Sequence, residues 1–219
     1  MISNWLKTLR IPGKPDEWEV KQLLRKKNIR VPEGYVLEAD GSSFSDAVTF
    51  PVAVKVCDSE ILHKTDAGGV MLNIGSNVFE DTVSEMQQKF PGKRLLIEEM
   101  SAYTGMEFIL GGLVDPTFGS AIMVGAGGIL TELYKDVTFR LVPLDHEEAV
   151  RMLRELTIAE ILEGYRGSRM DIGTLADCIV SVGGLITELG DHFNELDINP
   201  LVYTEHGWTA LDGMLVLNK

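Results

Sequence analysis

The chain has 219 residues, 45% of them apolar and 24% charged, which is ordinary for a soluble globular protein and enough to bury a sizeable core in one or two lobes. Its net charge of -13 argues against a nucleic-acid partner, because a phosphate backbone demands a basic face. Two cysteines, Cys57 and Cys178, form no C-x-x-C pair and no disulfide framework, and both sit in apolar runs. They read as buried free thiols in a reducing compartment. The start, MISNWLKTLRIPGKP, lacks the apolar core and cleavage site of a signal peptide, and no run reaches the roughly 18 apolar residues of a membrane helix. The expected location is the cytoplasm.

DEWEVKQLLRKKNI places acids first and bases last, which suits a helix dipole, with Val20, Leu23 and Leu24 as an apolar stripe. VPEGYVL reads as a strand, and SFSDAV as a short helix with Ser43 or Ser45 as its cap. PVAVKVCD is a strand in which Val52, Val54 and Val56 alternate with Ala53, Lys55 and Cys57. A loop containing HKTDAGG leads to the strand GGVMLNIG, the helix SNVFEDTVSEMQQKF, a PGK stop and the strand RLLIEEM. MEFILGGLVD and SAIMVGAGG make two strands joined by the turn DPTFG. DHEEAVRMLREL is a helix with Val150, Leu153 and Leu156 on one side, TIAEILEG is a second, and DIGTLADCIVSVGGLITELGD is a long apolar third. The end, from FNELDINPL to GMLVLN, closes as a β-hairpin. The pattern is α+β in two lobes rather than one doubly wound sheet.

The final hairpin carries chemistry. Asp197 and Asn199 lie two apart on one strand and share a face. If Glu205 and His206 form the loop, Asn199 faces Asp212 directly; a loop at His206-Gly207 makes the pair diagonal on the same face. With either two-residue loop an acid, an amide and a second acid converge, as a hard cation such as Mg²⁺ requires; a three-residue loop with a bulge would break the alignment. A solvated hairpin face satisfies the same pattern. Lys55, on an apolar strand, either reaches across a cleft to a phosphate or lies on the strand's solvent side. Gly68 and Gly69 are either a plain turn or backbone N–H groups open to an anion. No Walker sequence occurs, and GAGGI at 125–129 is not a dinucleotide fingerprint. Arg140 fits a phosphate contact and a surface salt bridge equally.

Taken together, Lys55, HKTDAGGV, IEEM followed by GMEF, DPTFGSAIMVGAGGILTEL, LDINPL and ALDG resemble, in order, the ATP-grasp domain of NDP-forming acyl-CoA synthetases. The resemblance is strongest to the β subunit of ADP-forming acetate–CoA ligase, and more distant to succinyl-CoA synthetase β. It runs from about residue 14 to the end. It implies one ATP-grasp domain over 1–219, an α+β fold of two lobes with nucleotide bound between them. The smaller lobe spans about 20–98 and the larger about 99–219, the latter a candidate to carry the N-terminal helix region.

The resemblance also assigns residues. Lys55 would contact the phosphates of ATP or ADP, with Gly68 and Gly69 in the loop above them. Glu99, Met100 and Ala102 would lie near the adenine and Glu107 near the ribose. Asn199 and Asp212 would hold Mg²⁺, and Arg140 is a further candidate for phosphate. His63 would carry a phosphoryl group to ADP, with Asp197 as the acid that meets the phosphohistidine; imidazole suits that task near neutral pH. His146, His192 and His206 read as structural or surface residues. The implied partner is an α subunit with CoA-binding and primary phosphohistidine domains, in an α₂β₂ heterotetramer. A nucleotide-sensing or scaffold module without catalysis is the alternative, and a relative of domain-fused lysine acetyltransferases a third reading.

Overall fold

The structure is a computed structural model that describes residues 2–41, 48–61, 64–103, 106–128, 136–164 and 170–218. His63 and most of the expected SFSDAV helix, with Ser43 and Ser45, lie outside the described residues. The chain folds into two compact units: Met1–Pro15, Glu19–Val31 and Ala102–Lys219 form one, Asp16–Trp18 and Pro32–Ser101 the other. The helical segment from Glu19 onward therefore belongs with the larger unit, and the smaller begins in earnest at residue 32 rather than near 20.

The smaller unit is built on four antiparallel strands, β1 (Gly34–Leu37), β2 (Val52–Cys57), β3 (Val70–Ile74) and β4 (Arg94–Glu99), in the order β1-β4-β2-β3. Helix α3 (Phe79–Lys89) covers one face, where Val52, Val54 and Val56 join Ile74, Met86, Leu95 and Ile97 in a core. Every residue of β2 is buried, so both faces of the sheet centre are covered. The second face carries Ala53, Lys55 and Cys57 opposite Glu98, Leu96 and Arg94.

In the larger unit, α1 (Ile2–Leu6) and, from Glu19 onward, α2 (Glu17–Lys26) precede a six-stranded antiparallel sheet. Its strands are β5 (Phe108–Asp115), β6 (Gly119–Ala126), β7 (Val137–Leu141), β8 (Phe193–Thr204), β9 (Gly207–Ala210) and β10 (Met214–Leu217). The main order is β10-β8-β5-β6-β7, with β9 also on β8. Between β7 and β8 come α4 (His146–Arg154), α5 (Ala159–Leu162) and α6 (Ile172–Leu189). Asp145 caps α4 by accepting from the Glu148 N–H, and Asp171 caps α6 through the N–H groups of Gly173 and Thr174. By length and composition α6 could cross a membrane, a property the run count in the sequence did not register. Here its Leu175, Ile179, Val182 and Ile186 join Phe108, Leu110, Ile122 and Val124 in the core of the unit.

Two elements differ from expectation. The VTFRL segment is a sheet strand, paired with β6 from Gly125↔Val137 to Ala121↔Leu141. The C-terminal hairpin is a long β8 whose one edge is shared by β9 and then β10.

Candidate active site

Lys55 is buried, at 7% exposure, which removes the solvent-face alternative. Its ammonium lies 2.8 Å from Glu17 and 2.9 Å from Glu98, whose side chains are themselves 2% exposed. Lys64, from the HKTDAGG loop, also binds Glu17. Beside this group Arg94 binds Asp16 and, at 3.1 Å, Glu38. Burying charges is costly unless they are paired and hydrogen-bonded, and here cations and carboxylates alternate. Burial, and then Asp16, raise the neighbouring Cys57 thiol above its ordinary range. Cys178, by contrast, is only half-buried, because it sits on the flank of α6.

The two loop glycines are explained by backbone geometry. Gly68 has φ +63°, and a Cβ on Gly69 would stand 2.5 Å from the Val56 side chain. Their N–H groups donate to Thr65 (2.9 Å) and Lys64 (2.6 Å) carbonyls. The expectation of N–H groups open to an anion therefore does not describe this structure: the turn closes on itself. At the end of β4, Glu99 accepts from the Thr49 N–H at 2.7 Å, and the Met100 N–H donates to the Pro51 carbonyl.

In the larger unit Ala102 is exposed, and Glu107, just before β5, is half-buried. The Tyr103 hydroxyl donates to Glu107 Oε1 at 2.5 Å, and that bond, with burial, pushes the phenol up to about 12. The Gly127 N–H donates to the Glu107 carbonyl at 2.6 Å.

The hairpin loop is Glu205-His206: β8 pairs with β9 from Leu201↔Ala210 to Thr204↔Gly207. The Leu211 N–H donates to the Pro200 carbonyl, and pairing resumes with β10 at Asp197↔Met214. Residues 198–200 are thus opposed by residues 211–213, and Asn199 stands at the same step as Asp212. Asn199 is exposed, Asp212 half-buried. Asp197, half-buried, is pushed up to about 6 by burial first, then by Asp212 and Glu195. Its Oδ1 is buried with no hydrogen-bond partner among the described residues. A carboxylate oxygen without a donor, among other acids, marks a place deficient in positive charge. Among the described residues no three His, Cys, Asp or Glu side chains are grouped to hold a metal alone. One carboxylate and one amide oxygen, completed by phosphates and water, is a donor set that Mg²⁺ accepts, so these residues fit that ion.

Arg140 requires a correction. It pairs with Ile122 on β6, Ile122 with Gly112 on β5, and Gly112 with Leu196 on β8. Asp197 pairs with Gly111, and that row runs through Met123 to Phe139, so Arg140 projects from the opposite face. There it binds Glu148 and, at 2.5 Å, Glu155. The surface-salt-bridge reading is the one the structure favours. His146, His192 and His206 are all exposed. Sequence reasoning missed Glu17, Glu98 and Lys21. Glu17 is an acid of the first helical turn and Glu98 a neighbour in IEEM, so local roles concealed buried ones.

The ATP-grasp domain family matches residues 13–217. The chain is 38% identical, over 211 residues, to the β subunit of an ADP-forming acetate–CoA ligase of Pyrococcus furiosus, covering 92% of this chain and 90% of that protein. A crystal structure from Pyrococcus horikoshii superposes with a TM-score of 0.85 at 33% identity, covering 99% and 97% of the two chains. A dinucleotide-forming acetyl-coenzyme A synthetase of Candidatus Korarchaeum cryptofilum superposes with a TM-score of 0.78 at 30% identity, covering 94% and 93%. That structure holds coenzyme A and Mg-AMPPCP, with a phosphohistidine segment pointing towards its nucleotide binding site. This chain belongs to the ATP-grasp family and, within it, to the group of the ADP-forming acetate–CoA ligase β subunits.

Proposed function

We propose that this chain is the nucleotide-binding β subunit of an ADP-forming acyl-CoA synthetase, an acid–thiol ligase that passes a phosphoryl group from phosphohistidine to ADP. The overall reaction is acyl-CoA + ADP + phosphate ⇌ carboxylate + CoA + ATP. The observation that carries the reading is the 38% identity to the P. furiosus β subunit across nine-tenths of both chains. The partner is an α subunit with CoA-binding and primary phosphohistidine domains, in an α₂β₂ assembly in the cytoplasm.

Phosphoryl transfer needs positioning and charge neutralisation more than new covalent chemistry. Lys55 contacts the phosphates, exchanging part of its hold on Glu17 and Glu98 for the nucleotide. Gly68 and Gly69 let the loop pass close over them. Glu99, Met100 and Ala102 meet the adenine, and Glu107 the ribose hydroxyls. Asn199 and Asp212 hold Mg²⁺, which when bound neutralises charge on the phosphate oxygens. Asp197 accepts an N–H from the phosphorylated imidazole and fixes its orientation. His63 carries the phosphoryl group. In the transfer the N–P bond breaks, its electron pair returns to the imidazole nitrogen, and a terminal oxygen of ADP forms the new P–O bond.

The test is ATP formation from acetyl-CoA, ADP and phosphate by the chain purified with its α partner. No ATP from a stable pair, with other acyl-CoA substrates also inert, would defeat the proposal. His63→Ala separates it from a nucleotide-sensing scaffold: an enzyme loses phosphoryl transfer and keeps nucleotide binding, whereas a sensor keeps its behaviour.

A further inference from the structure

Lys21 is among the largest fully buried side chains of the described residues, at 0% exposure, and none of the roles above uses it. It lies on α2, one turn before Arg25 and on the side of the helix that carries Val20 and Leu24, both buried. Lysine is almost never fully buried without a specific reason, since an ammonium loses its hydration there. Its Nζ donates to the Leu211 carbonyl at 2.8 Å.

That carbonyl belongs to the peptide that leads into Asp212. The same residue's N–H donates to the Pro200 carbonyl, one residue beyond Asn199. On the other side of Asp212, the Gly213 N–H donates to Asp212 Oδ1 at 2.7 Å. A Cβ on Gly213 would stand 3.3 Å from Val20 and 3.6 Å from Leu24, so α2 packs directly on this turn. The turn falls where β8 changes partner from β9 to β10 and ladder pairing lapses. In place of the ladder, the Leu211 N–H ties the backbone before Asp212 to β8, and Lys21 ties it to α2. A neutral donor would satisfy the carbonyl equally well. A cation also supplies positive charge within one peptide of an acid close enough to Asp197 to raise its pKa.

We propose that Lys21 is a positioning residue, which by its bond to the Leu211 carbonyl sets Asp212 where a divalent cation can use it. The inference rests on the reading of Asp212 as a metal ligand. Groups that orient a ligand typically change metal affinity about 10- to 100-fold when removed.

The experiment is Mn²⁺ binding to the full chain with ADP present, followed by electron paramagnetic resonance, with metal-free ADP binding and thermal unfolding measured alongside. Lys21→Met is expected to weaken Mn²⁺ binding about tenfold or more while metal-free ADP binding stays within about twofold. Lys21→Arg, which keeps a cationic donor, is expected to recover part of the loss. Wild-type Mn²⁺ affinity in folded Lys21→Met overturns the proposal. Asp212→Asn is the control: if it leaves Mn²⁺ affinity unchanged, the metal-ligand reading fails and Lys21 is not the cause. Should Lys21→Met not fold, the wild-type protein carries the test. The Lys21 ammonium nitrogen resonance, assigned by coupling across the hydrogen bond to Leu211, is expected to shift when Mg²⁺ and ADP bind. An unmoved resonance, with binding established, overturns the proposal equally.

Discussion

Lys55→Met in the smaller unit keeps the length of the side chain and removes the ammonium that stands 2.8 Å from Glu17 and 2.9 Å from Glu98. The Lys55 side chain is 8% exposed and each carboxylate 2%, so water cannot replace the lost cation. Removing one partner from a buried ion pair costs about 3–5 kcal/mol. Lys64 still binds Glu17, so the lower end, about 3 kcal/mol, is expected. Glu98→Gln removes the opposite charge, and the double variant leaves Lys64 balanced by Glu17. The double should therefore cost less than the sum of the singles, with a coupling of about 2 kcal/mol. Amide hydrogen exchange of β2 and β4 reads the smaller unit by itself, and urea unfolding followed by circular dichroism gives the global value. Additive single effects, with coupling below about 0.5 kcal/mol, would refute the argument that Lys55 compensates Glu98. A second arm uses nucleotide. ADP at a hundred times its Kd should stabilise the wild type by about 2.7 kcal/mol, and Lys55→Met at the same ADP concentration should lose most of that increment.

Tyr103→Phe removes the hydroxyl that orients Glu107; KM for ADP is expected to rise about fivefold with kcat changed less than about twofold, and equal losses in both would deny Glu107 a binding role. Arg140→Gln breaks contacts on the helix-covered face of the sheet, so ATP formation should stay within about twofold of wild type; a large loss would return Arg140 to the phosphate. The thiols test burial: Cys178 is pushed up to about 11 by burial and then Asp177, and Cys57 is raised further out of range. Both are therefore protonated at neutral pH, and modification of the native chain should climb about tenfold per pH unit from about pH 8 to about pH 10. Levelling off at about pH 9 would show an exposed, unperturbed thiol.

What the sequence made legible was periodic or local. Val52, Val54 and Val56 alternate because they face α3; of the expected stripe Val150, Leu153 and Leu156, the last two are buried and Val150 is half-buried, the buried side being completed by Ala149 and Met152. Two-residue turn length narrowed the hairpin loop to Glu205-His206 or His206-Gly207, and the pairing Thr204↔Gly207 selects the first. VTFRL escaped notice because it is a five-residue edge strand: its apolar and polar residues alternate, but the apolar Phe139 and Leu141 are the exposed ones, so the pattern does not mark a buried face. The hairpin's division between two partner strands was illegible as well, because nothing in the spacing marks where the ladder lapses near Asp212.

The site shows the same division at the level of charge. Lys55, Asp197, Asn199 and Asp212 announce themselves, because a cation on an apolar strand, an acid and an amide at spacing two, and the acid opposite them across a short hairpin are all visible from local sequence. The groups that make those charges tolerable come from far away. Glu17 reaches Lys55 across 38 residues, and Lys21 reaches Leu211 across 190. Both lie on α2, where acids in the first turn and bases along the helix are what a solvated amphipathic helix also shows. The local rule is obeyed, so the sequence raises no conflict. Yet Glu17, Lys21 and Leu24 fall at i, i+4 and i+7, which is the stripe that faces inward. A charged residue in register with an apolar stripe is the signal that could have found them, since burial along that stripe leaves it no water. The charges of Glu17 and Lys21 are thus fixed by burial, and the sequence of α2 is constrained as much by electrostatics as by packing.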